Sequence, residues 1–391
     1  MKYITRSVWV LSLVSLFTDT ASEMLYPIMP IYLKSIGFSI VLIGILEGVA
    51  EATAGLSKGY FGQLSDNMGR RVPFVQIGYA LSALSKPMMA FFIHPIWIFF
   101  TRTLDRFGKG IRTGARDALL SDEATPATKG KVFGFHRSMD TFGAVLGPLL
   151  ALLYLYFYPE DYLTLFYIAF IPGMFAVAAS FFLQEKKSLL VKKNTTTTFL
   201  SFLSYWKKSP VDYRKLLLGL LAFTLFNSSD VFLLLKAKAS GLNDTWVIGL
   251  YIFYNLIYAL AAFPLGILAD KIGLKKMYSV GLLLFGIVYL GMATTSNAYV
   301  LAAWFLLYGL YAAATEGVSK AWISNISAKE DTGTAIGTYS AFQSICTMLA
   351  SSLAGLIWWQ FGAAATLALS GVMALLIAVY FTLAIPGIAK T

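Results

Sequence analysis

The sequence predicts an all-α membrane protein of twelve transmembrane helices, built as two pseudo-symmetric six-helix bundles. Three observations carry that prediction. First, 58% of the 391 residues are hydrophobic and only 13% are charged, against roughly 45–50% and about 25% in soluble domains. Second, the apolar residues form runs close to the roughly 20 residues that cross a bilayer. Third, the runs fall into two sets of six, and one ten-residue pattern recurs at the same place in each.

Taken in order, apolar runs between charged or Gly/Pro breaks place spans near 7–33, 39–63, 72–92, 95–119, 131–157 and 162–183. The second set lies near 214–237, 245–269, 277–295, 299–325, 334–358 and 361–385. Between the sets is the longest polar stretch, holding Lys186, Lys187, Lys192, Lys193, Lys207, Lys208, Arg214 and Lys215. The expected organisation is a bundle over 1–184, a basic linker over 185–213 and a second bundle over 214–391. Within the linker, Phe199, Phe202, Leu203 and Trp206 recur at helical spacing. They fit an amphipathic helix on the inner membrane face, and a plain connector fits the same residues.

A net charge of +11 would suggest nucleic acid in a soluble protein. Here the Lys and Arg collect in alternate loops, which is how orientation is set on insertion. A cytosolic linker puts the loops at Arg70–Arg71 and Lys271–Lys276 in the cytosol too, and with them both termini. The opposite loops carry chiefly Lys34. The run after Arg6 is a full span without a small-residue cleavage site, so it is expected to stay as a span. The chain is thus expected to be a multi-pass protein of a bacterial plasma membrane, with the lipid bilayer as its partner and no nucleic acid. Cys346 is the single cysteine, and His94 and His136 are the two histidines. No disulfide, metal or cofactor site is expected from that set.

The repeated pattern runs Gly62-Gln-Leu-Ser-Asp66-Asn-Met-Gly69-Arg70-Arg71 after the second span and Gly266-Ile-Leu-Ala-Asp270-Lys-Ile-Gly273-Leu274-Lys275 after the eighth. It resembles the signature loop of the major facilitator superfamily. In the fifth span, Gly143-Ala-Val-Leu-Gly147-Pro148 looks like that superfamily's antiporter motif, although Gly-x-x-x-Gly also serves plain helix packing. The resemblance implies a monomeric secondary transporter with two bundles rocking about a midplane cavity, lined by the first, fourth, seventh and tenth spans. It also implies a latch for the outward-open state. Asp66 would meet the start of the eleventh span, where a helix dipole favours a carboxylate by about 0.3–1 kcal/mol, and Arg70 would pair with Asp117. In the second copy Leu274 replaces the arginine, which puts the latch at Asp270 in doubt.

The first half is unusually polar for a bundle in lipid. Asp19 and Glu23 lie in span one, Glu47, Glu51 and Lys58 in span two, and Lys86 in span three. Span four carries Arg102, Asp105, Arg106, Lys109, Arg112 and Arg116, and span five His136, Arg137 and Asp140. Each charge facing lipid at mid-helix costs roughly 2.5–3.5 kcal/mol. About ten would exceed the usual 5–15 kcal/mol of total stability, so they must face inward. Steps of three and four along span four make one cationic stripe. Two readings follow: mutual neutralisation that holds helices in register, or the wall of a wet cavity. For spans two and five the readings are balanced; for spans one and four the cavity is favoured.

In the second half, Asn227, Ser228 and Asp230 sit in span seven, and Glu316 and Lys320 in span ten. Tyr308 and Tyr311 can touch a substrate or serve packing. His136 fits a proton relay or a packing bond. Lys236 and Lys238 can snorkel. Without a P-loop, HExxH or GxSxG motif, neither ATP-driven transport nor an enzyme is expected. The expected function is proton-coupled export of a small organic solute, anionic or zwitterionic, by antiport, with proton-linked uptake of an organic anion as the alternative. Asp19 and Glu23 are the expected proton sites, with Asp105 and Asp230 in reserve. Arg102, Arg106, Lys109 and Arg112 would meet an anionic group, since a guanidinium fork suits carboxylate or phosphate. Asn227, Tyr308, Tyr311 and Glu316 would meet the rest. The gating set is Asp66, Arg70, Asp117, Asp270, Gly143, Gly147 and Pro148.

Overall fold

A computed structural model of the protein describes residues 4–185 and 197–384. Lys186, Lys187, Lys192 and Lys193 of the linker lie outside the described residues. Span one is α1 (Arg6–Leu25) and α2 (Met29–Ser35), and spans two to six are α3 (Ile40–Met68), α4 (Val72–Met89), α5 (Pro95–Asp122), α6 (Lys129–Phe157) and α7 (Tyr162–Ser180). After the short linker helix α8 (Tyr205–Lys208), span seven is α9 (Val211–Phe226) and α10 (Val231–Ala239). Spans eight to ten are α11 (Asp244–Ile272), α12 (Leu274–Thr294) and α13 (Ala298–Ile326), and spans eleven and twelve form α14 (Thr332–Ala384). At 1.5 Å per residue those 53 residues are far too long for one crossing. The break falls at Gly362, whose φ of 84° is open to glycine and costly for other residues.

Eight helices among the described residues are long and apolar enough to cross a membrane by composition. The three long helices outside that group, α3, α4 and α5, carry Glu47, Glu51, Lys58, Lys86 and the basic stripe. Their charged and polar residues lower their hydropathy below that of the other eight.

Helix ends follow local chemistry. Thr5 and Ser39 accept from the Val8 and Leu42 amides to start α1 and α3, and Asn243 accepts from Trp246 to start α11. Such caps contribute about 1 kcal/mol each. Gly69, with φ of 63°, stops α3. The next helix is capped from a distance: the Glu185 carboxylate accepts from the amides of Arg71 and Val72 at 2.8 and 2.9 Å. Span one breaks at Pro27, which has no N–H to donate.

The chain divides into two compact units that do not follow its halves. One comprises Met1–Ala124, Met139–Lys208 and Ser327–Ser344, and the other Thr125–Ser138, Ser209–Ile326 and Ile345–Thr391. The starts of α6 and α14 are thus exchanged. In the first unit, α5 packs on α3 and α4, and α7 on α1 and α4. Small residues permit this: a Cβ on Gly78 would lie 2.6 Å from the Gly108 carbonyl oxygen, and one on Gly110 2.3 Å from the Ser57 Cβ. In the second unit, α13 packs on α11 and α12, with Trp322, Phe285, Tyr289 and Phe381 in its core. Large apolar side chains such as Leu153, Tyr156, Phe175 and Leu383 point outward, as a lipid solvent requires.

The linker departs from the amphipathic expectation. A 3-10 turn over Ser201–Ser204 leads into α8, and Phe202 is fully buried rather than lipid-facing. Its ring lies against Gly59, where a Cβ would be 2.6 Å away. Phe199 and Leu203 stay exposed. Two further bonds tie the segment to α3, from Asn67 Nδ2 to Thr197 Oγ1 at 2.8 Å and from Ser201 Oγ to Gln63 Oε1 at 2.5 Å.

Candidate functional site

The signature loop makes its first expected contact. Asp66 is buried at the end of α3 and accepts from the Thr334 amide at 2.6 Å and the Thr334 hydroxyl at 2.9 Å, in the first turn of α14. The arginine contact differs from expectation. Arg70 is exposed, and Asp117 pairs with Arg116 at 2.9 Å. The fully buried Arg71 is the residue that bridges, to Asp66 at 3.1 Å and to Asp122. Gly69 ends the helix in the left-handed region, so the next two residues leave in different directions, and the second one turns inward. A straight count along the motif cannot reveal that.

The second copy has the same carboxylate contact without the guanidinium. Asp270 accepts from the amides of Gly130 and Lys131, at 2.7 and 2.8 Å, in the first turn of α6. Lys275, at the Arg71 position, instead donates to the Thr382 carbonyl. Both contacts rest on backbone against backbone. A Cβ on Gly62 or on Gly266 would lie 2.4 Å from the carbonyl oxygen of Gly333 or Gly130.

The antiporter-like glycines face α1. A Cβ on Gly143 would meet the Leu16 carbonyl oxygen at 2.5 Å, and one on Gly147 the Met24 nitrogen and Thr20 oxygen at 2.6 Å. Pro148 is buried within α6. This close approach sets α6 along the stretch of α1 that carries Asp19 and Glu23. Asp19 faces Asp140, with Glu23 and Lys109 nearby.

Most of the cationic stripe is neutralised by neighbours. Arg102 grips Glu47 with two bonds, at 2.7 and 3.0 Å, and lies 3.5 Å from Asp105. Asp105 also receives Ser82 Oγ at 2.6 Å and Lys86 at 3.4 Å. Arg106 lies 3.9 and 4.0 Å from Glu47 and Glu51, and Lys58 lies 3.8 Å from Glu51. Sequence reasoning did not connect these rows, although Glu47/Glu51 and Arg102/Arg106 are both four apart and so match on adjacent helices. Neither Arg106 nor Arg112 forms an ion pair with Asp19 among the described residues. Glu316 meets Arg137 at 3.8 Å.

Two cations remain. Lys109 and Arg112 have no carboxylate within 4 Å among the described residues. Lys109 is exposed. Arg112 is 4% exposed, its carbon Cζ lies 4.5 Å from the Tyr79 ring centre, and its Nε and Nη1 have no hydrogen-bond partner. A cation–π contact contributes about 0.5–2 kcal/mol, less than the several kcal/mol that removing an ion from water costs. Arg112 is thus a buried cation with no acid at ion-pair distance among the described residues, and the nearest acids to Lys109, Asp19 and Glu51, stand farther off.

In the second unit, Asp230 accepts from the hydroxyls of Tyr254 and of Tyr308, the latter at 2.5 Å, and Asn227 Nδ2 donates to Tyr311 at 3.0 Å. Tyr254 was not anticipated. No grouping of three or more His, Cys, Asp or Glu able to hold a metal occurs among the described residues.

Comparison with known proteins matches this geometry to a family. The profile of the Major Facilitator Superfamily matches residues 11–254 and 235–390. An MFS-type transporter of Methanocaldococcus jannaschii is 32% identical over 361 residues, 91% of this chain and 89% of that one. The chain belongs to the major facilitator superfamily, and it is a transporter with that family's fold. It is also similar to a multidrug resistance efflux pump homologue of Lactococcus lactis, at 23% identity over 85% of this chain and 82% of the other. Among solved structures, the human organic anion transporter TETRAN superposes with a TM-score of 0.83 at 18% identity, covering 96% of this chain and 99% of that one.

Proposed function

We propose that the protein is a proton-coupled transporter of the plasma membrane, working by alternating access and exporting an organic solute with an anionic group in exchange for protons. One observation carries the substrate charge: the buried Arg112 has no carboxylate within 4 Å and two unpartnered guanidinium nitrogens, and Lys109 beside it meets Asp19 and Glu51 only from beyond ion-pair distance, while Arg102, Arg106 and Arg116 each have an acid within 4 Å among the described residues. A carboxylate or phosphate that supplied the missing partner would gain charge-assisted bonds in a low-dielectric site. Export rests on the close packing of Gly143 and Gly147 on α1, on the resemblance of that run to the antiporter motif, and on the similarity to an efflux pump. Asp19 and Glu23 are the proposed proton carriers, Asp66, Asp270 and Arg71 the gating residues, and both termini are assigned to the cytosol.

The deciding experiment is competition during counterflow in proteoliposomes. Anionic analogues should inhibit, and lipophilic cations should not. Arg112→Ala should raise the apparent KM with little change in melting temperature, while Asp19→Asn and Glu23→Gln should keep exchange but lose accumulation driven by a pH gradient. Competition by lipophilic cations, with binding intact in Arg112→Ala, would make α5 a purely structural stripe.

A further inference from the structure

Span seven is broken without a proline. The Asn227 amide closes α9 onto the Phe223 carbonyl at 3.0 Å, and the chain then leaves helical geometry until α10 begins at Val231. A helix end in the bilayer interior presents carbonyl groups and the negative end of a dipole. Asp230 adds a full negative charge. Each of its oxygens accepts a tyrosine hydroxyl, from Tyr254 and Tyr308. No Lys, Arg or His lies within 4 Å of it among the described residues. The charged groups that face it from farther away are Glu316 and Arg137, and these two are paired with each other at 3.8 Å. An uncompensated carboxylate at membrane depth costs several kcal/mol.

The neighbouring polar atoms are of one kind. Asn227 turns its amide nitrogen to Tyr311, leaving Oδ1 buried and without a partner. Ser228, 4% exposed, has a buried Oγ that faces the buried Tyr289 hydroxyl without a well-formed hydrogen bond. The unsatisfied side-chain atoms at the break are therefore oxygens, beside a carboxylate and a helix C-terminus. We propose that this break is a binding site for a monovalent alkali cation, sodium by preference, held by Asp230, Asn227 Oδ1, Ser228 Oγ and main-chain carbonyls.

Hard oxygen donors select alkali and alkaline-earth ions over softer metals. A single carboxylate balances one positive charge and leaves a divalent ion underneutralised. A proton on Asp230 would satisfy the carboxylate alone and leave Asn227 Oδ1 without a partner. An organic ammonium ion would find no room between the rings: Tyr254 and Tyr311 each lie 5.3 Å from Tyr308, and all three are at most 4% exposed.

The test uses the full-length protein in lipid nanodiscs, melted at fixed pH and ionic strength while NaCl replaces N-methyl-D-glucamine chloride. Sodium should raise the melting temperature saturably, by about 2–4 °C or more. Asp230→Asn should abolish the response. Should Asp230→Asn fold poorly, Ser228→Ala should move the midpoint to higher sodium. Identical melting in the two salts overturns the site, as does a sodium response that persists in a folded Asp230→Asn or a response to acidification alone. Counterflow measured in sodium-free buffer reports on the anion site of α5 independently.

Discussion

Replacing Asp66 by Asn separates the two copies of the signature-loop contact and tests the gating role proposed for them. The carboxylate serves three donors: the Thr334 amide, the Thr334 hydroxyl and Arg71. An asparagine oxygen can keep one or two of the Thr334 bonds as neutral ones, but it cannot balance the buried guanidinium. Removing one member of a buried pair costs about 3–5 kcal/mol. Arg71 retains Asp122, so the lower end applies, and about 3 kcal/mol is on the order of a hundredfold in an equilibrium. At Asp270 no guanidinium is present, and the half-buried carboxylate meets two amides. Exchanging those charge-assisted bonds for one neutral bond loses about 1–2 kcal/mol, or about tenfold. If Asp66 and Asp270 gate as proposed, both losses fall on the state that holds these contacts rather than on the whole fold. Counterflow rates at matched amounts of reconstituted protein should therefore drop far more in Asp66→Asn than in Asp270→Asn, with both variants melting near wild type. Wild-type exchange in Asp66→Asn, or the greater loss in Asp270→Asn, would refute the reasoning.

Gly147→Ala would set a methyl 2.6 Å from two main-chain atoms of α1, so it should cost about 1–3 kcal/mol and slow exchange, whereas Gly48→Ala, in the interior of α3 with open space around it, should leave the rate unchanged and melting equal or higher, by up to about 1 kcal/mol. Phe202→Ala should lower stability by about 3–5 kcal/mol, and Leu203→Ala, next to it but exposed, by no more than about 0.5 kcal/mol; equal melting of the two would mean the linker is not seated. Hydrogen bonds from Tyr154 and Thr164 hold the Asp161 carboxyl below its ordinary range. Its stabilisation is present above the unfolded value of about 3.9 and is lost as pH falls through the folded one, so the melting advantage of wild type over Asp161→Asn should shrink in acid; a difference that stays constant would count against this bond.

The fold was legible because hydropathy, length and an internal repeat all report on the same solvent. Asp66 and Asp270 were legible for a second reason, since a motif repeated at a constant offset marks equivalent places. The partners were not. Arg71 takes the role expected of Arg70 because of one left-handed residue, Gly69, and helix C-caps of that kind redirect a chain without changing its pattern. Glu47 and Glu51 lie four apart and so share one face of α3. Their match with Arg102 and Arg106 depends on how α3 and α5 slide along each other, and Gly110 and Gly114 settle that by contacts shorter than a Cβ permits. Arg112 stood out only by elimination, once its neighbours had found acids.

The exchanged helix starts bear on how the two chain halves can exist apart. A fragment ending in the linker would hold Gly62 and Asp66 with nothing to fill the seat of Gly333, Gly337 and Thr334, yet it carries its own Gly130 and Gly134, a Gly-x-x-x-Gly pair of the same spacing. The second fragment has the mirror deficit at Gly266 and Asp270. Each half therefore brings both a vacant groove and a ridge cut for a similar groove. Expressed singly, a half should self-associate through that match. Expressed together, the halves should reassemble by complementation, because the ridge that seats best on each belongs to the other.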